Sequence, residues 1–112
     1  MLKKEYRFHS RGGVKYVYQH GKTIRRSKMS LVFCENTRGF TRVAVVVSKK
    51  VAKTAVARNK IRRRVYEALR VNFEFIPEKR DYIFVIYTAD VMTMPYNDLV
   101  KLLGELVAES KV

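Results

Sequence analysis

"AVARNKIRRRVYEALR" (residues 55–70) reads as a helix with two unlike faces, and the architecture follows from it. Ile61, Val65, Ala68 and Leu69, continued by Phe73 and Ile76, fall within about 140° of one another at 100° per residue, a stripe that faces a core. The helix is predicted from about Thr54 to Phe75, with Pro77 as its stop. Yet seven of the sixteen positions are Arg, Lys or Asn. Asn59, Arg62, Arg63, Tyr66 and Arg70 are placed broadly opposite the stripe. Lys60 and Arg64 make an i,i+4 pair on one flank, and Arg58 stands near the other edge.

On either side of this helix lie two apolar stretches of strand length, "TRVAVVVSK" (41–49) and "DYIFVIYT" (81–88). Strand, helix, strand is the pattern of a crossover joining parallel strands, for which the general expectation is a right-handed connection. Upstream, "SLVFCE" (30–35) reads as a strand, "KTIRRSK" (22–28) as a short one, and "NTRG" (36–39) as a turn. Residues 10–20 are predicted to form a first helix, with Ser10 as N-cap and Gly21 just past its end. Val14, Val17 and Tyr18 share one of its faces. "YNDLVKLLGELVAE" (96–109) is a last amphipathic helix, striped by Leu99, Leu102, Leu103, Leu106 and Val107. The expected fold is α+β: a mixed sheet of about four strands packed with helices, in one domain spanning residues 1–112.

The chain has 112 residues, enough for one core. It has no apolar run long enough for a membrane span and no signal-like apolar segment at its start. One cysteine, Cys34, excludes an internal disulfide and any metal-type cysteine spacing. These features predict a soluble cytoplasmic protein with no membrane partner, and nothing in the sequence indicates a protein partner.

The formal charge is +14, and it is unevenly distributed. The first 64 residues hold 19 of the 24 Lys/Arg but only two of the 10 acids, Glu5 and Glu35. Such a sided excess is the footprint of a polyanion partner. Like charges at i,i+4 cost a helix about 0.2–0.5 kcal/mol per pair. A merely solvated face would mix Glu with Lys to avoid that cost, so a face that accepts it is built for phosphates. Just upstream, "SKKVAK" (48–53) brings Lys49, Lys50 and Lys53 to the helix N-terminus, where the dipole also favours an anion.

Catalysis by the polypeptide is not expected. Metal-free RNA cleavage would need two imidazoles, or an imidazole and a carboxylate, on one phosphate. His9 and His20 are the only histidines, and even on one helix they would stand roughly 16 Å apart. Cys34 is read as strand packing and His20 as a helix-terminal residue. Aromatics interleaved with basic residues (Phe8, Tyr16, Tyr18) suit unpaired nucleic acid, whose bases stack on rings. Tyr18 is expected to face the sheet margin.

The residues now carry a resemblance. "VSKKVAKTAVARNKIRRRVYEALR" (47–70) resembles the signature of the bacterial ribonuclease P protein component. Ser48, Lys49, Lys50, Lys53, Ala55, Val56, Arg58 and Asn59 match it, with one spacer residue between Lys53 and Ala55. Lys60, Arg62, Arg63, Glu67 and Arg70 match in kind. "VKYVYQHGK" (14–22) is similar to that family's first helix.

This resemblance implies a ribosomal-protein-like fold with a left-handed crossover, against the general rule. It also implies a subunit that joins a catalytic RNA to remove the 5′ leader of precursor tRNA, with Mg²⁺, held mainly by the RNA, performing the hydrolysis. By the same resemblance Lys49, Lys50, Lys53, Arg58, Asn59, Lys60, Arg62, Arg63 and Arg70 would bind the RNA subunit, while Val14, Tyr18 and Val32 would line a cleft for the leader. Val14 and Val32 stand where relatives often carry aromatics, which reduces stacking there. Tyr66 stands where the family usually has an arginine; its side chain can still hydrogen-bond or stack. A ribosomal protein or general RNA chaperone is the alternative reading. A protein-only nuclease and a DNA-binding module are further rivals.

Overall fold

The computed structural model describes residues 11–36, 41–72 and 80–111. In chain order these form α1 (Arg11–His20), β1 (Lys22–Arg25), β2 (Met29–Glu35), β3 (Arg42–Val47), α2 (Ala55–Asn72), β4 (Arg80–Ile86), a 3₁₀ turn (Ala89–Met92) and α3 (Tyr96–Ser110). The four strands make one sheet in the order β1-β2-β4-β3. β1–β2 and β2–β4 are antiparallel, and β3–β4 is parallel, with α2 as the connection. This is the mixed α+β sheet that the sequence predicts. The expected Ser10 cap, the turn over 37–39, and the ends of the long helix at Phe73, Ile76 and Pro77 lie outside the described residues.

Strand alternation divides the apolar residues between the two faces of the sheet. Met29, Leu31, Val43, Val45, Val47, Tyr82, Phe84 and Ile86 point one way, into the main core. There they meet Ile61, Val65, Ala68 and Leu69 of α2 and Leu99, Leu103, Leu106 and Val107 of α3. The other face carries Val32, Ala44 and Ile83, and α1 packs on it through the fully buried Val17. Both faces of β3 and β4 are therefore apolar, which explains their near-continuous hydrophobic runs.

Tyr66 corrects the sequence reading. It lies not on the basic face but in the main core, 6% exposed. Its hydroxyl accepts from the Val45 N–H (3.2 Å) and donates toward the Val43 carbonyl (3.5 Å). β3 is an edge strand, so these backbone groups lack a strand partner on that side, and the phenol satisfies them. On the wheel Tyr66 falls just past the edge of the apolar arc, and its length lets it reach back.

Gly21 lets α1 end directly against β2. Its N–H closes the helix on the Val17 carbonyl (2.7 Å). A Cβ there would stand 2.5 Å from that oxygen and 2.6 Å from the Phe33 carbonyl oxygen, both backbone atoms that cannot swing away.

Among the described residues one buried side-chain polar atom is orphaned. Tyr82 is 1% exposed and its hydroxyl has no hydrogen-bond partner among the described residues. Removing an unsatisfied buried hydroxyl removes a desolvation cost rather than a bond. Tyr82→Phe is therefore expected to leave stability unchanged or raise it by about 1 kcal/mol; a loss of that size in urea unfolding would show that the hydroxyl has a partner after all. No helix among the described residues is long and apolar enough to cross a membrane.

Candidate nucleic-acid interface

The passage from β3 into α2 builds the first half of the interface. The N–H groups of Val51 and Ala52 both donate to the Ser48 carbonyl (3.1 and 3.2 Å). Thr54 caps the helix: its Oγ1 accepts from the Ala57 N–H (3.1 Å), and its carbonyl from the Arg58 N–H (3.1 Å). Arg58 fixes the same loop from the helix side, donating to the carbonyls of Ala52 (2.9 Å) and Lys53 (3.1 Å). Lys49, Lys50 and Lys53 thus project from a backbone that is tied down, so little loop entropy is lost when they meet a ligand. The first turn of α2 contains no acid, which leaves its positive end uncompensated.

Along α2 the cations sort by what already holds them. Lys60 and Arg63 are exposed and, like the three loop lysines, make no hydrogen bond or ion pair among the described residues. Arg62 is half-buried and donates to Asn59 Oδ1. Arg70 pairs with Glu67; its hydrogen bond holds that exposed carboxyl down to about 2, and the carboxylate in turn raises the Arg70 value. Arg64 is turned away, donating to the carbonyls of Val91 (2.7 Å) and Met94, and so pins the 3₁₀ turn that leads into α3. Five of the nine predicted RNA-contacting residues therefore carry uncommitted charge. Arg58 organises the loop, and the Asn59–Arg62 and Glu67–Arg70 pairs complete the face.

The second half of the interface is α1 on the sheet. With Val17 pointing into the sheet, Tyr16 and Tyr18 leave the helix on opposite flanks, each 100° away. Val14 joins Tyr18, one turn earlier on the same flank. Val14 is half-buried beside Val46 and Val85 of the sheet face, and Tyr18 is 46% exposed. Tyr18 lies toward Tyr87, at the end of β4; burial first, and Tyr87 second, push its phenol pKa upward, so it is a neutral donor at physiological pH. Val32 is different. At 4% exposure it is packed under Val17 with Ala44 and Ile83, so it supports α1 and offers a ligand almost no surface.

Sequence reasoning missed Tyr87. It is 42% exposed, its hydroxyl bonds Ser30 Oγ (2.5 Å), and its N–H donates to the Lys28 carbonyl (2.9 Å). Arg25, opposite Ser30 in the register, puts an exposed cation on the same side of the sheet. Neither has a sequence signal, because only the strand register puts them on the sheet face that α1 covers. The remaining cations of this corner are engaged: Arg26 with Glu109, and Lys28 with Asp90 (3.2 Å).

Burial, and then Asp81, push the Cys34 thiol upward, which keeps it protonated. Asp81 is buried and taken by Arg42 in a two-point pair (2.9 and 2.8 Å), with Asn36 donating to the same carboxylate (2.7 Å). The described residues include no group of three or more His, Cys, Asp or Glu side chains placed to hold a metal ion.

Known proteins share the sequence pattern and the fold. The Ribonuclease P family model matches residues 2–111. A ribonuclease P protein component from Syntrophus aciditrophicus is 33% identical over 108 residues, covering 96% of this chain and 89% of that protein. One from a Thermoanaerobacter species is 37% identical over 106 residues, covering 91% and 84%. The Staphylococcus aureus RNase P protein superposes with a TM-score of 0.80 at 25% identity, covering 96% of both chains. The Thermotoga maritima RNase P protein shares the fold, with a TM-score of 0.77 at 24% identity, over 91% of this chain and 96% of that one. The chain belongs to the ribonuclease P protein component family.

Proposed function

We propose that this protein joins the catalytic RNA of ribonuclease P and helps it remove the 5′ leader of precursor tRNA. The observation that carries this reading is the five uncommitted cations, Lys49, Lys50, Lys53, Lys60 and Arg63, presented on a capped helix start and one helix face. Rigid, multivalent positive charge suits holding structured RNA. Among the described residues no group of His, Cys, Asp or Glu side chains is placed to hold Mg²⁺; the ion and the hydrolysis are assigned to the RNA subunit on the family reading.

The leader is assigned to the flank of α1 that carries Val14 and Tyr18. There Val46, Val85 and Tyr87 give an apolar and aromatic floor, and Arg25 a cation at the far rim. An unpaired strand fits such a surface by stacking, with little demand on base identity. The test compares the affinity of catalytic RNA for precursor tRNA and for mature tRNA, with and without the protein. The protein should tighten only the leader-bearing substrate, and Tyr18→Ala or Tyr87→Ala should each remove about ten-fold of that gain, the worth of roughly one stacked base. Equal tightening of both substrates would remove the leader from this flank.

A further inference from the structure

The other flank of α1 has no part in that reading, yet it is a built pocket. Tyr16 and His20 form one wall, their rings stacked 4.2 Å apart at 22°. His20 Nδ1 lies 3.0 Å from the Tyr16 carbonyl oxygen, which fixes the imidazole in the stack. Cys34 lines the pocket from the sheet face that α1 covers, while Lys22, Phe33 and Arg80, which the register puts on the opposite face, reach it from the other side and bring two cations to it. Glu35 is the one acid among the described residues that line it. The volume is about 320 Å³, within the usual range for sites that enclose a small planar group.

We propose that this pocket holds a second unpaired RNA nucleotide, on the opposite side of α1 from the leader cleft; the proposal rests on the ribonuclease P reading. Three features argue for that occupant. Tyr16 is 54% exposed although its stack with His20 orders it, so one aromatic face is presented ready for a base. Two cations against one carboxylate favour a polyanion, and Arg80 is held in place over the Phe33 ring (5.3 Å) by its bond to the Ser110 carbonyl (2.6 Å). Glu35 supplies an acceptor for a base N–H, which phosphate-only recognition would not use. Asp81, beside Cys34 on the neighbouring strand, adds no net charge because Arg42 neutralises it.

The nucleotide can come from the distal leader or from the catalytic RNA, and crosslinking separates the two. The full chain is bound to three 4-thiouridine-substituted RNAs: the catalytic RNA, a precursor tRNA with a long leader, and the same precursor with its leader cut short. Adducts are mapped by mass spectrometry. An adduct on Tyr16 or His20 is expected with the catalytic RNA, or with the long but not the short leader. Tyr16→Ala and Lys22→Glu should each weaken binding of that RNA by about ten-fold, the worth of one stacked base. Both positions are exposed, so two independent variants guard against a folding artefact. Absence of the adduct, or affinities within two-fold of the parent for both variants, overturns the pocket while the assisted-cleavage reading stands. A protein that gives the Tyr16 adduct yet fails to tighten leader-bearing precursor tRNA overturns that reading instead.

Discussion

Replacing Lys49, Lys50 and Lys53 together by Ala is expected to weaken binding to the catalytic RNA on the order of 10²-fold at physiological salt, at about 1 kcal/mol per exposed phosphate contact. The same variant should flatten the slope of log affinity against log salt by about 2 to 3, since each lost phosphate contact removes roughly 0.7–0.9 from it. All three side chains are exposed and have no partner among the described residues, so unfolding should shift by no more than about 0.5 kcal/mol. Arg58→Ala should behave differently. Arg58 spends its donors on the Ala52 and Lys53 carbonyls, so its loss loosens the loop and lowers stability together with affinity, with little change in the salt slope. A salt slope unchanged in the triple variant would mean that the lysines face water in the complex.

The second large effect lies under α1. Arg42 and Asp81 form a two-point ion pair with side-chain exposures of 14% and 4%, and Asn36 adds a third bond to the carboxylate. Breaking a buried pair from one side strands the remaining charge, which typically costs 3–5 kcal/mol. Arg42→Ala is expected to lose about that much, enough to lower the melting temperature by more than 10 °C in a domain of this size. Replacing both partners by apolar residues should recover much of the loss, because no charge is then left without a partner. A single-variant loss under 1 kcal/mol in urea unfolding would show that water reaches the pair.

Much of this architecture can be read in the sequence because one pattern governs it. The 3.6-residue stripe of α2 and the near-continuous apolar runs of β3 and β4 jointly require a helix laid over a sheet buried on both faces. The lysine-rich entry to α2 could be read too, as charge without acids. Some readings failed where side-chain length or register decides the outcome. Tyr66 sits just beyond the apolar arc, and only the unsatisfied edge of β3 explains why its phenol turns inward. Arg64 looks like a member of the basic face, but its guanidinium reaches the carbonyls ahead of α3, across a 3₁₀ turn with no strong periodic signal. Val32 and Tyr87 exchange importance for a similar reason. The position of α1 on the sheet buries the first and exposes the second, and that position depends on Val17 and on the close approach at Gly21.

The most direct test of the account is cleavage of a precursor tRNA at low Mg²⁺ by the cognate catalytic RNA, with the protein present, with it absent, and with the protein alone. The account predicts cleavage restored by the parent chain, not by the Lys49→Ala/Lys50→Ala/Lys53→Ala variant, and none by the protein alone. Tight RNA binding that leaves cleavage unchanged, or cleavage by the protein without the RNA subunit, would contradict it.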